Sequence, residues 1–230
     1  LERIDGQRTT LAIDLTSAKS AGQRVRSGDT LVVPQVLPSL ENTVALAGHV
    51  YRPGNFQWRA GMRLTDLIGS MDELKPGVDT GYVLIRRERQ RGQPIEVLSA
   101  NLSAAMQSPS SDSNVKLESG DTVHVFSMAL GRQRVVEPLL EELRVQSTFD
   151  APVRQVQIAG NVRAPGEYPL ESGMRVSDLI RAGGNLSEEA YALKAELTRY
   201  SVTNTTGREI DLVNVDLDAI RRGDESADLL

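Results

Sequence analysis

The chain has 230 residues, 40% of them hydrophobic and 25% charged, with a net charge of -5. That is an ordinary globular composition with no stretch long enough to cross a bilayer, and its mild acidity counts against nucleic acid as the main partner, since phosphate binding needs a basic surplus. Cysteine is absent, which excludes disulfides, thiolate metal sites and a cysteine nucleophile, and suits an oxidising compartment such as a bacterial periplasm.

In chain order, residues 1–37 read as the C-terminal part of a structural repeat. Asp5-Gly6-Gln7 is a hairpin turn, Asp14-Leu15 follows, and Gly28-Asp29 turns the chain into the strand-like Thr30-Leu-Val-Val. Residues 42–128 read as a complete module. Its first two strands, 44–50 and 56–58, meet at Pro53-Gly54, whose fixed and positive φ suit the centre of a type II turn. Gly61-Met62 then leads to a helix with Leu64, Leu67, Ile68 and Met71 at helical spacing and Asp66 in its first turn, where the helix dipole favours a carboxylate.

The strand Tyr82-Val-Leu-Ile-Arg-Arg-Glu, a polar turn at Arg91-Gly92-Gln93, and Ile95-Glu-Val-Leu make a hairpin that runs to Asn101-Leu102. Gly120-Asp121 and the alternating Val123 and Val125 close the module. Residues 129–152 read as a linker with a short amphipathic helix starting near Pro138. Residues 153–230 begin the module again, with Val176, Leu179 and Ile180 on a helix ended by Gly183-Gly184, but stop before a final Gly-Asp strand. The reading is the tail of one repeat, a whole repeat and the head of a third, cut from a longer protein.

The repetition is direct: 12 of the 25 positions from Val44 to Ile68 recur from Val156 to Ile180 without a gap. Gly48, Pro53 and Gly54 return as Gly160, Pro165 and Gly166, and Asp66-Leu67-Ile68 as Asp178-Leu179-Ile180. What is copied is turns and core anchors rather than reactive side chains, which is how a duplicated scaffold looks. Hairpin, helix, then further strands is the order of a β-grasp, so the expected fold class is α+β: tandem β-grasp-like modules, each a mixed sheet wrapped on one helix.

Reactive chemistry is sparse. His49 corresponds to Asn161 in the other copy, and His124 lies between Val123 and Val125, so it faces away from the core. Asp66 and Asp178 sit at helix starts, Asp29 and Asp121 in Gly-Asp turns, and structural roles account for all four better than acid–base catalysis does. Trp58 aligns with Leu170, which makes it a core or interface anchor more readily than a sugar-stacking platform. No enzyme activity, cofactor or metal is expected.

The pattern Gly-x-Val-x-x-Pro-Gly, Gly-Met-x-Val/Leu-x-Asp-Leu-Ile and Gly-Asp-x-Val-x-Val resembles the soluble-ligand-binding β-grasp (SLBB) domains of bacterial outer-membrane polysaccharide export proteins. Tyr191-x-x-x-Ala195-Glu196-Leu197-Thr198-Arg199 extends the likeness in the second copy. The resemblance implies stacked periplasmic modules in a ring-forming homo-oligomer associated with the outer membrane. Capsular or exopolysaccharide would pass through it, with an inner-membrane co-polymerase as partner. On this reading Gly48, Pro53, Gly54, Gly160, Pro165 and Gly166 hold the hairpin tips. Tyr51, Arg52, Asn55, Arg163 and Glu167 are what the tips display to a ligand or partner. Arg86, Arg87, Arg89 and Arg91 put cations on one hairpin that an anionic polymer could meet, although a solvated face explains them too. The alternatives are a small-ligand or oligosaccharide receptor and, disfavoured by the acidic balance, DNA uptake.

Overall fold

A computed structural model describes residues 2–5, 7–10, 24, 26–30, 42–89, 92–129, 131–148, 152–191, 193–203 and 207–229. The chain divides into two compact units, Leu1–Leu40 and Glu41–Leu230. In the first, strands β1 (Glu2–Asp5) and β2 (Gln7–Thr10) pair as an antiparallel hairpin. Asp14-Leu15 and the strand expected after Thr30 lie outside the described residues.

The second unit holds both modules, and it is α+β with a mixed sheet, as expected. Module 1 runs β3 (Thr43–Gly48), β4 (Gly54–Gln57), α1 (Leu64–Leu67), a 3-10 turn (Met71–Glu73), β5 (Val78–Arg87), β6 (Glu96–Ala100), α2 (Leu102–Gln107) and β7 (Thr122–Ser127). Its sheet order is β4-β3-β7-β5-β6, with β7 central, parallel to β3 and antiparallel to β5. Helix α3 (Gln133–Gln146) follows, then module 2: β8 (Gln155–Ile158), β9 (Gly166–Pro169), α4 (Val176–Ala182), β10 (Lys194–Thr203), β11 (Gly207–Asp216) and α5 (Leu217–Arg221).

The two copies share their local geometry. Val50 bridges Leu74 as Val162 bridges Leu186. Asp66 accepts from the Arg63 N–H at 2.7 Å, and Asp178 from the Arg175 N–H at 3.0 Å. Both aspartates therefore close capping boxes, a more specific role than attraction to the helix dipole. The first helix lasts a single turn, because the chain turns out after Ile68 and Ser70 caps the 3-10 turn by accepting from the Asp72 N–H. Met71 thus leaves the helical stripe and is exposed.

Pro53-Gly54 is not the centre of a tight turn. Leu46 already pairs with Gly54, and Ile158 with Gly166, so each Pro-Gly enters the second strand at the end of a longer loop. The glycine at the other end of the loop is the constrained one. Gly48 has φ +93° and lies so close to β7 that a Cβ would overlap the Val125 carbonyl, whereas at Gly160, φ +88°, a Cβ meets nothing within 4 Å among the described residues. Gly48→Ala should therefore cost about 3 kcal/mol or more from overlap plus positive-φ strain, and Gly160→Ala only about 1 kcal/mol from strain. Urea unfolding of the two variants checks this, and equal losses would refute it.

The apolar run in β5 is buried on both faces. Val83 and Ile85 enter the module 1 core with Val44, Leu46, Leu64, Ile68, Val123 and Val125. Tyr82 and Leu84, pointing the other way by the two-residue period, join Phe126, Val136, Leu139 and Leu140 with Tyr168, Met174, Leu179 and Ala182 of module 2. Module 1's sheet is thus a wall between two cores. The linker helix is part of the second one and begins at Gln133, not near Pro138. Val136, Leu139 and Leu140 anchor one of its faces, and Pro138 sits on the exposed side. The burial of one face outweighs the backbone bond that proline removes.

Candidate functional site

The sequence-derived contact residues do not gather in one place. Tyr51 and Arg52 lie exposed on the β3–β4 loop, Tyr51 at 58%, and Asn55 is exposed in β4, opposite Ala45. Glu167, expected at the second tip, is half-buried in β9 and pairs with Arg144 of α3 at 2.6 Å, so it ties module 2 to the linker helix. Arg163 is exposed on the β8–β9 loop.

The arginine-rich strand is mostly committed internally. Arg87 is turned into the structure: its guanidinium makes two bonds to the fully buried Asp121 carboxylate, at 2.9 and 2.8 Å, and one to the Lys116 carbonyl. Arg86 bonds Glu142 on α3 at 2.8 Å and Glu88 at 3.1 Å, and Arg89 pairs with Glu96 and Glu118. Arg91 lies outside the described residues. The open groove of about 540 Å³ beside this strand contains Glu88, Glu141 and Glu142 against Arg86, a poor electrostatic match for an anionic polymer.

A second cavity, about 240 Å³, lies where the β8–β9 loop meets the start of α3. Arg163, Ala164 and Pro165 line it from one side, Met128, Arg132 and Gln133 from the other. Arg132 is buried and anchors this junction. It pairs with the buried Asp79, donates to the carbonyls of Arg181 and Ala182, and lies 5.0 Å from the ring centres of both Tyr82 and Phe126. Its Nε and the Gln133 amide nitrogen have no hydrogen-bond partner among the described residues. Sequence reading missed Arg132, Asp79 and Tyr82. The available signal was departure from the repeat: Asp79 and Tyr82 align with Tyr191 and Lys194, so the copies differ where one must grip the other.

The two histidines are structural. His49 Nε2 is 2.8 Å from the Pro76 carbonyl oxygen. His124 packs on Phe126 beneath α3, and burial pulls its pKa below the ordinary 6.5. Trp58 is half-buried against the module 1 core and donates its indole N–H to the Leu117 carbonyl at 2.8 Å. Among the described residues, no group of three or more His, Asp or Glu side chains is placed to hold a metal ion, and no helix is long and apolar enough to cross a membrane.

Glu171 crosses the junction, accepting from the Ser99 N–H at 2.6 Å and the Ser99 hydroxyl at 2.9 Å. Burial raises its pKa above the ordinary 4.5, and the Ser99 bonds only partly oppose this; Tyr82, Asp178 and Arg181 are the other titratable groups that act on it. Because the folded pKa is the higher one, its contribution to stability is present below about pH 4.5 and is lost as pH rises through the folded value. Glu171→Gln should flatten that part of the stability–pH curve and raise stability at pH 7. A Glu171→Gln curve parallel to the parent's in thermal melts between pH 4 and 8 would refute the assignment.

Two segments of the chain, residues 43–71 and 155–209, match the family model of the SLBB domain. In module 1 the match covers the β3–β4 hairpin and α1 and ends before β5, and in module 2 it runs from β8 through β10 to the start of β11. A comparison with curated proteins gives no match. SLBB domains are binding rather than catalytic modules, often found in polysaccharide export proteins and in periplasmic proteins.

Proposed function

We propose that this chain is a non-enzymatic periplasmic segment of a capsule or exopolysaccharide export protein, in which SLBB modules supply oligomer-assembly surfaces and weak contacts to the polymer. Residues 1–37 would be the C-terminal part of a preceding repeat, 42–128 a complete module, 129–152 a linker and 153–230 a second module. The partners would be the polysaccharide, further copies of the chain and an inner-membrane co-polymerase, at the outer-membrane side of the periplasm. The supporting observation is the buried junction around Arg132, which packs the two modules together while Tyr51 and Arg52 stay exposed on the β3–β4 loop and Asn55 in β4. Two modules packed through a shared core, with exposed tips, suit stacking into an assembly better than closing around a small ligand.

The receptor reading rests on the junction cavity with Arg163 and Gln133. Its volume of about 240 Å³ falls below the roughly 300 Å³ at which small-molecule pockets begin. Titration calorimetry with neutral and acidic oligosaccharides separates the two. Assembly predicts weak, non-saturating heats unchanged by Arg163→Ala, whereas saturable micromolar binding lost in Arg163→Ala would establish the receptor instead.

A further inference from the structure

The cavity at the module junction has a wall chemistry that the assembly role leaves unused. Among the described residues no Asp or Glu lines it, and its polar side chains are Ser127, Arg132, Gln133 and Arg163. Two donors on this wall are buried and left over. The Arg132 Nε, on a residue only 3% exposed, and the Gln133 amide nitrogen make no hydrogen bond among the described residues. Native structures satisfy nearly all such groups, so a buried donor without a partner points to a ligand. Arg163 adds a cation: it is exposed and pairs with no carboxylate among the described residues.

These groups arrive from both sides of the junction. Arg132 and Gln133 open the 14-residue helix α3, whose N-terminus has no side-chain cap, and the amides of an uncapped helix start favour an anion. Arg163 comes from the β8–β9 loop, which is fixed by bonds from the Arg163 and Ala164 N–H groups to the Asn185 and Gly183 carbonyls at 3.1 and 2.8 Å. Gly166 makes room for Gln133: a Cβ there would overlap the amide, whereas one on its copy Gly54 meets nothing within 4 Å among the described residues. The first copy lacks the arrangement, since Arg163, Ala164 and Gly184 correspond to Tyr51, Arg52 and Asp72.

We infer that this cavity binds one compact phosphate-type oxyanion, held by the Arg132 Nε–H, the Gln133 amide and Arg163. The Arg132 charge is already balanced by the buried Asp79, so the uncompensated charge at the cavity is that of Arg163. A planar carboxylate is best met by the two-pronged fork of a guanidinium. The Arg132 fork is occupied, its Nη atoms bound to Asp79 and to the Arg181 and Ala182 carbonyls. What remains are single N–H donors from separate elements, which suit a tetrahedral oxyanion with acceptors on several sides. At about 240 Å³ the cavity admits such a group but not a sugar chain. Because its donors belong to both modules, the bound anion bridges them and stabilises their docking.

The test titrates the full chain with inorganic phosphate in a calorimeter and melts it in phosphate against sodium chloride of equal ionic strength. Low millimolar phosphate keeps the general stabilisation by excluded salts out of the reading. The expected result is saturable binding and a melting temperature that climbs with phosphate and levels off, with a weaker response to acetate. Arg163→Ala should weaken binding about tenfold, the loss of one charge-assisted bond. Arg59→Ala, which removes an exposed arginine of module 1, should leave it unchanged. Gln133→Glu, which sets a carboxylate beside the anion, should abolish binding. Arg163 is exposed on a loop, so its variant carries the test even where Gln133→Glu fails to fold. Glycerol 3-phosphate separates the sources: equal binding identifies a phosphoryl group carried by a larger molecule, and binding of inorganic phosphate alone identifies the free ion. The proposal is overturned if phosphate gives no saturable heat, if acetate binds as well, or if Arg163→Ala and Arg59→Ala bind alike. Failure here leaves the export reading untouched, since no oligosaccharide enters the titration.

Discussion

Arg132→Met should lower stability by about 3–5 kcal/mol, the cost of leaving a buried charge without its partner, and should split unfolding into two transitions. Asp79 and Arg132 are both buried, and they are joined across the junction with the carbonyls of Arg181 and Ala182 at the end of α4. Removing the guanidinium strands the Asp79 carboxylate and two helix-terminal carbonyls and takes a cation from the faces of Tyr82 and Phe126. Module 2 has few other attachments of this strength: Glu167 to Arg144 is a half-exposed pair, and Glu171 to Ser99 carries a desolvation cost. Its contacts should therefore melt first. Adding Asp79→Asn to Arg132→Met should recover part of the loss, since the asparagine carbonyl still accepts from the Gly81 N–H. Denaturant unfolding followed by the single tryptophan, Trp58 in the module 1 core, and by far-UV circular dichroism checks this. Coincident single transitions with a loss under about 1 kcal/mol would show the junction contributes no more than a surface ion pair.

Asp121→Ala should be comparably severe, again about 3–5 kcal/mol, but should destabilise module 1 itself rather than uncouple the modules. The carboxylate is fully buried, takes two bonds from Arg87 and accepts from the Glu118 N–H, so it fixes the turn that launches the central strand. Alanine leaves Arg87 buried with only the Lys116 carbonyl and a half-exposed Glu118. The Trp58 transition should move to lower denaturant together with the global one, and Arg87→Met in the same chain should restore stability in part. If Asp121→Ala shifts the midpoint no further than Asp66→Ala, a loss of one cap bond costing about 1 kcal/mol, the buried pair is not holding the strand.

The Gly-Asp motif is legible in the sequence because glycine and aspartate announce a turn, but its energetic weight is not. Nothing in Gly120-Asp121 or in Arg86-Arg87 says that they meet, since their pairing depends on β5 lying beside β7. For the same reason four arginines on one hairpin read as a cationic surface in the sequence, although Arg87 points inward and Arg86 reaches α3. Amphipathic spacing locates the helix near Pro138 but not its start, because a proline suits the first helical position while the apolar face extends back to Val135 and Val136. Glu167 was placed on a tip because it follows Pro165-Gly166, and the structure gives it to the linker helix because Leu46 and Ile158 pair earlier than a tight turn would allow.

The sequence by itself determined the duplicated α+β module, its likeness to SLBB domains and the order of its strands along the chain, because glycine φ, proline φ and alternating hydrophobicity act within a few residues of where they are written. Only the tertiary structure decided that module 1's sheet is buried on both faces and that Arg132 bolts the modules together. Those outcomes depend on which side chains distant in sequence arrive at the same face, and on whether a group removed from water finds its partner there.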